Sequence, residues 1–493
     1  MRRLFARKIV STVQQVAECA NMSAARSTSP INPLHFRTLK IKRFNRGQSP
    51  PEPGPAKRGK IFYGWWIVGA AALTNGTGGA LQWQGFTVLF LPVSESLGLG
   101  LGATALAFGL ARAENGVIGP ISGWMIDKYG VRPLMFVGTL IVGIGYLLLS
   151  RADNFIAFLV IYIFVISIGA STSFMQATTA GINSWFVRKR GLAMSINAAA
   201  FRLGGAAMVP ILSIFVLKYG WQDASIGIGL LMIFLVTPMA FFFRRSPEAY
   251  GLNPDGDPDP HEESGNSARV IATYDSWTTK EALRTRAFWI LSVGTMLRIA
   301  AHGTIFVHLI AILDWKDIDR QVAANMVGGL ALVAVPLILL AGYYGDRIGR
   351  TKILSLGYAM SAISLFLVVF TEGTIPLFLA LLLFTGSEAG SSLNWALVGD
   401  LFGRKSFATI RGMMAPLYNS VLMIGPVAAG FVFDWTDTYT PVLVAGGVLM
   451  LLAAVVFLRL EAPVLPERAT EVEPIETNAP TAIESEASTP IDD

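Results

Sequence analysis

Arg298 and His302 lie four residues apart near the middle of an otherwise apolar run, residues 287–312, so a helix through that run carries both on one face. A guanidinium is a planar fork of donors matched to a carboxylate, and an imidazole titrating near neutral pH can hydrogen-bond the same ligand or carry a proton. The structural alternative is that Arg298 pairs with an acid on another helix and His302 satisfies a core polar group. Arg112 and Glu114 sit mid-run in residues 103–124 and, two residues apart, point to different faces. Arg112 is grouped with the anion-binding candidates. Glu114 is the candidate proton-coupling residue, with an interhelical ion pair as its alternative. Arg202, midway along 191–217, reads either as a second anion clamp or as a side chain snorkelling towards water. Glu388 is less favoured, and Asp400 is assigned with Arg404 to a gate. The amides and aromatics Gln82, Trp83, Gln84, Gln176, Asn394, Trp395, Tyr418 and Asn419 are candidate cavity liners.

These few groups stand out because of what surrounds them. Of 493 residues, 53% are apolar and 15% charged, against about 25% charged in an ordinary soluble domain. Mean hydropathy is +0.53. The apolar residues come in runs of roughly 20, enough to cross about 30 Å of hydrocarbon, where an ionisable group costs at least about 2.5 kcal/mol. A water-soluble enzyme of this size is excluded, and the fold class is an all-α membrane protein. One cysteine, Cys19, precludes a disulfide framework or thiolate cluster, and His35, His261, His302 and His308 lack metal-ligand spacing. Gly403-Arg404-Lys405-Ser406 lacks the flanking order of a P-loop, so no metal, cofactor, ATP site or enzymatic activity is expected. The net charge of +6 is ascribed to basic residues flanking spans and not to a nucleic-acid partner.

Twelve spans can be drawn, six on each side of a polar gap. The expected organisation is a basic disordered arm (1–60), a first six-helix bundle (61–243), a linker that need not fold (244–286), a second six-helix bundle (287–460) and an acidic disordered tail (461–493). The arm holds 13 Lys or Arg against Glu18 and Glu52, and reads alternatively as a targeting segment or an overextended start ahead of Met22. With a cytosolic amino terminus, the inner loops hold 16 basic residues and the outer ones only Arg151, Lys218, Lys316 and Arg320, which places both termini and the linker in the cytosol.

The two halves repeat a motif. Gly123-Trp-Met-Ile-Asp127-Lys128-Tyr-Gly130-Val-Arg132 follows the second span, and Gly342-Tyr-Tyr-Gly-Asp346-Arg347-Ile-Gly349-Arg350 follows the eighth. Gly130 and Gly349 suit turns with positive φ, while Gly123 and Gly342 permit close helix approach. An acid beside bases at a helix end can make charge-assisted hydrogen bonds that hold one bundle arrangement and release another. The expected gate is Gly123, Asp127, Lys128, Arg132, Gly342, Asp346 and Arg347, with Arg188.

On these paired motifs the chain resembles the major facilitator superfamily over about residues 60–460. Phe186-Val-Arg188-Lys-Arg-Gly-Leu-Ala193 is similar to the monocarboxylate-porter signature, and Phe402-Gly-Arg-Lys-Ser-Phe-Ala-Thr-Ile-Arg411-Gly412 to a loop of oxalate/formate-antiporter-like members. The entry Phe62-Tyr-Gly-Trp-Trp66 lacks that branch's acidic residue, and spans eight and eleven lack its usual Arg and Lys. The resemblance implies two pseudosymmetric six-helix bundles around a midplane site, working by alternating access. Three mid-span arginines then suggest a small organic anion such as a monocarboxylate or dicarboxylate, monocarboxylate-like by the resemblance, coupled to a proton or counter-anion and carried across the cell membrane by a monomer. A drug or neutral-metabolite exporter, with structural arginines, is the alternative, followed by a non-transporting sensor.

Overall fold

The computed structural model describes residues 61–98, 101–257 and 277–464; expectations about the arm, linker residues 258–276 and the tail beyond 464 lie outside the described residues. Among the described residues every regular element is helical. In chain order the spanning segments are α1 (63–96), α2 (Leu101–Tyr129), α3 (Val131–Leu149), α4 (Phe155–Trp185), α5 (190–219) and α6 (221–242), then α7 (Arg286–Trp315), α8 (Arg320–Ile348), α9 (Arg350–Phe370), α10 (Thr374–Phe402), α11 (Phe407–Thr436) and α12 (Thr440–Leu458). Residues 190–242 run as one helical stretch until Gly220, at φ 86°, turns the chain and separates α5 from α6. Large apolar side chains such as Phe234, Phe370 and Trp435 point off the bundle, as expected where lipid replaces water.

The motif loops are tighter than hydropathy suggests. α2 and α8 continue through Asp127 and Asp346, and only one residue separates Tyr129 and Ile348 from the next helix. Gly130 (φ 94°) and Gly349 (φ 122°) make these one-residue breaks, a backbone region that L side chains disfavour. Apolar windows end sooner because the helices project past the hydrocarbon into a polar layer.

Packing is asymmetric along the bundle. At the motif end a single core draws on both halves, joining Ile67, Ile126, Met135 and Trp185 to Phe288, Leu393, Phe402 and Phe407. At the other end the core of α1 and α3–α6 is separate from that of α7–α12. The described side-chain hydrogen bonds between halves extend from the motif end only as far as Arg202 and Glu388. The halves are thus sealed at the motif end, and each keeps its own packing at the opposite end.

Part of the connector departs from the expectation that it need not fold. The Asp255 carboxylate accepts hydrogen bonds from the backbone N–H groups of Val187, Arg188 and Lys189 at 2.8–3.0 Å. Glu248 pairs with Arg404 at 2.8 Å, tying the connector to the α10–α11 loop of the second half. Residues 279–284 form a short helix whose capping box joins Thr278 and Glu281. Polarity and proline content did not reveal these partners, because three amides in a loop 66 residues upstream leave no periodic signal.

Candidate functional site

A cavity of about 310 Å³ lies between the halves, lined from α1, α2, α4 and α5 on one side and α7, α10 and α11 on the other. Several of these helices are irregular where they pass it. α1 widens into a π-turn over Asn75–Gly79, and the buried Asn75 amide donates to Thr178 and Asn197 at 2.7 and 2.8 Å. α4 breaks at Phe174 and α10 at Thr385–Gly390. Such interruptions at membrane depth are tolerated where backbone is buried in protein or faces a polar cavity. Trp83, Gln176, Trp395, Tyr418 and Asn419 line the cavity as expected. Gln82 and Asn394 do not; they accept hydrogen bonds from Tyr146 and Thr295.

Arg298 lines this cavity while its residue is only 8% exposed. Its Nε has no hydrogen-bond partner, and among the described residues no carboxylate comes within ion-pair distance. The Tyr358 hydroxyl stands beside it, and the charge of Glu388 is felt from further off. His302 also lines the cavity, one helical turn on. Its Nδ1 hydrogen-bonds Ser387 Oγ at 2.8 Å, its Nε2 meets Glu388 Oε1 at 3.2 Å, and its ring stacks on Phe384 at 5.0 Å. The imidazole is therefore held by three neighbours on α10 with one edge facing the void.

Arg202 is placed elsewhere. Instead of facing the main cavity it crosses the interface to pair with Glu388, beside a small void of about 20 Å³. A carboxylate fixed by Arg202 and His302 compensates that guanidinium locally, which removes the need for a ligand there. Helical position gave the depth of both residues, but not that α5 faces α10. Glu114 is half-buried with Ser171 Oγ 3.5 Å from each of its carboxylate oxygens, and Ser171 lines the cavity, so Glu114 stands behind the wall. The side chain of Arg112 lies outside the described residues.

Arg411 was counted as a loop residue in the sequence. It is 5% exposed and lines the same cavity. Its guanidinium lies 4.4 Å from the Trp395 ring centroid and donates to Met175 O (3.2 Å) and Thr179 Oγ1 (3.0 Å) on α4. Its Nε has no partner, and no described carboxylate pairs with it. The available signal was the apolar stretch Phe407–Met414, interrupted only by Thr409, Arg411 and Gly412.

The motif acids make a reciprocal seal. Asp127 at the end of α2 accepts from Ala408 N (3.1 Å), Thr409 N (2.7 Å) and Thr409 Oγ1 (2.6 Å), at the first turn of α11 in the other half. Asp346 at the end of α8 accepts from Gly191 N (2.9 Å) and Leu192 N (2.8 Å), at the first turn of α5. Each half thus supplies a carboxylate to the positive end of a helix from its partner. A Cβ on Gly123 would collide with the Ala408 carbonyl, and one on Gly342 with Ser195 and the Gly191 carbonyl, so both glycines allow this approach. Arg350 braces the seal by bonding Asp346, Asp400 and the carbonyls of Val187 and Arg188, and Asp400 also takes Arg190. Asp400 therefore belongs here, paired with Arg190 and Arg350.

The motif bases lie apart from the seal. Lys128 sits over Trp124 and Tyr129, Arg132 over Phe241 and Arg347 over Tyr343, all within their own halves. The Arg188 side chain pairs with Asp257 on the connector, and only its carbonyl reaches the seal. Their proximity in sequence to the motif acids does not translate into contact, because consecutive residues on a helix end point in different directions.

Two curated relatives cover most of the chain. The "Probable sulfoacetate transporter SauU" of Cupriavidus necator is 26% identical over 377 residues, 72% of this chain and 85% of that protein. The oxalate:formate antiporter of Oxalobacter formigenes is 25% identical over 396 residues, 77% of this chain and 88% of that protein. Among solved structures, the proton:xylose symporter XylE aligns with a TM-score of 0.62 at 16% identity, covering 80% of this chain and 94% of that one, a likeness of fold. The profile of the Major Facilitator Superfamily matches residues 71–316 and 291–488. The chain belongs to the Major Facilitator Superfamily and is a multi-pass membrane transporter.

Proposed function

We propose that this transporter moves a small organic anion by alternating access, the bundles 61–243 and 287–460 rocking about the central cavity. The reading rests on Arg298, a guanidinium with no recorded carboxylate partner at the wall of a cavity that both halves build. An uncompensated buried charge costs several kcal/mol, and an entering anion would offset that cost. The names of the relatives, which concern sulfoacetate, oxalate and formate, agree with such a ligand. His302, its nitrogens engaged by Ser387 and Glu388, shapes the cavity wall one turn from Arg298. Coupling runs through a proton on Glu114 or through exchange for a counter-anion. Basic residues at the motif end favour a cytosolic position for that end, the connector and both termini in a cell membrane, and the protein is taken to work as a monomer. The described state is then closed to the cytosol by Asp127 and Asp346.

Reconstituted into proteoliposomes, the full chain is expected to show saturable uptake of at least one member of a labelled panel of small carboxylates and sulfonates, under a pH gradient or against preloaded anion. Uptake of neutral or cationic solutes with none of any anion would overturn the reading.

A further inference from the structure

We infer that the substrate carries two anionic ends, one held by Arg298 on α7 and the other by Arg411 at the start of α11. The inference rests on the anion-carrier reading and narrows it. Both guanidiniums line one cavity, both residues are more than nine-tenths buried, and each has an Nε without a hydrogen-bond partner. Among the described residues the cavity lining contains no carboxylate. Other charged groups nearby do not change that count within the lining: Arg202 and Glu388 compensate each other, and Glu114 stands behind Ser171.

Arg411 also bonds Met175 O and Thr179 Oγ1, so a purely structural strut between α11 and α4 must be weighed. Those acceptors are neutral. They satisfy donors but leave a full positive charge buried, and the Trp395 face offsets only part of it. A purely structural strut has no need of that charge, since a long neutral donor such as glutamine offers hydrogen bonds of the same kind. Two such charges on α7 and α11 of one cavity are matched by a ligand with a carboxylate at each end, or a sulfonate at one and a carboxylate at the other. A one-ended anion would leave one guanidinium unanswered. At about 310 Å³ the cavity has room for a small two-ended acid.

The test is equilibrium binding to the purified full chain in lipid nanodiscs, using oxalate, malonate and succinate against acetate, propionate and butyrate as one-ended partners of equal carbon number. The expected result is that the best two-ended anion binds at least about 10-fold tighter than its partner, the size of one added charge-assisted contact. In Arg411→Gln both affinities fall and their ratio collapses towards one, while Arg411→Lys, which restores the charge, recovers a preference. A strut role would weaken both ligands in proportion and leave the ratio intact, which would overturn the inference. Equal binding of both kinds by the unaltered chain would overturn it too while leaving the anion-carrier reading standing. Binding of neither kind, with no anion uptake in proteoliposomes, would overturn both.

Discussion

Arg298→Gln is expected to lower anion uptake about 100-fold in proteoliposomes, with protein yield and melting temperature not lowered. The direction follows from what surrounds the side chain. Arg298 is not one partner of a buried pair, so its removal strands no carboxylate, and the usual penalty for breaking such a pair does not arise. What is lost is the anion's charged donor fork, and hydrogen bonds to charged groups contribute about 1.5–3 kcal/mol, or roughly 10- to 150-fold. Arg298→Lys keeps the charge without the planar fork and should fall between. Initial-rate uptake at several anion concentrations checks this. Rates within twofold of the unaltered chain would remove Arg298 from the site.

The second large effect concerns the seal. Asp127→Ala with Asp346→Ala removes five hydrogen bonds that the first turns of α11 and α5 donate to these carboxylates. These bonds exist only while the halves meet at the motif end, so their loss destabilises that state relative to the opposite one. With Cys19 replaced by serine and the buried Ser122 converted to cysteine as a reporter, modification by a membrane-impermeant maleimide from the motif side should quicken at least about 10-fold. The double variant should exceed either single one, since the two acids act on different helices. Unchanged labelling would show that the remaining contacts between the halves hold closure without these two acids.

The seal also shows how far the sequence reaches. Two copies of one glycine-and-acid motif pointed to Asp127, Asp346 and the turns at Gly130 and Gly349, because positive φ and close approach restrict residue type. The partners of those acids were not legible. Backbone N–H groups of another helix have no residue type, and any sequence after residue 407 or 190 would supply them. The same limit separated Arg298 from Arg202. Both are mid-span arginines, and only the placement of α5 against α10 gives Arg202 a carboxylate partner. Helical periodicity gives a side chain its depth and its face, but which helix it meets is decided by packing across nearly two hundred residues. Arg411 is hidden in the sequence for a related reason, because hydropathy puts it at a span boundary where a basic residue has an ordinary topological use.

The central claim, a guanidinium free to meet an anion in the cavity, is tested most directly by modifying arginine with phenylglyoxal in the reconstituted protein and mapping adducts by mass spectrometry. The account predicts an adduct on Arg298 that a saturating concentration of a transported anion suppresses, while Arg190, fully buried and bonded to Asp400, stays unmodified. An Arg298 that resists the reagent, or one whose modification no transported anion slows, would contradict it.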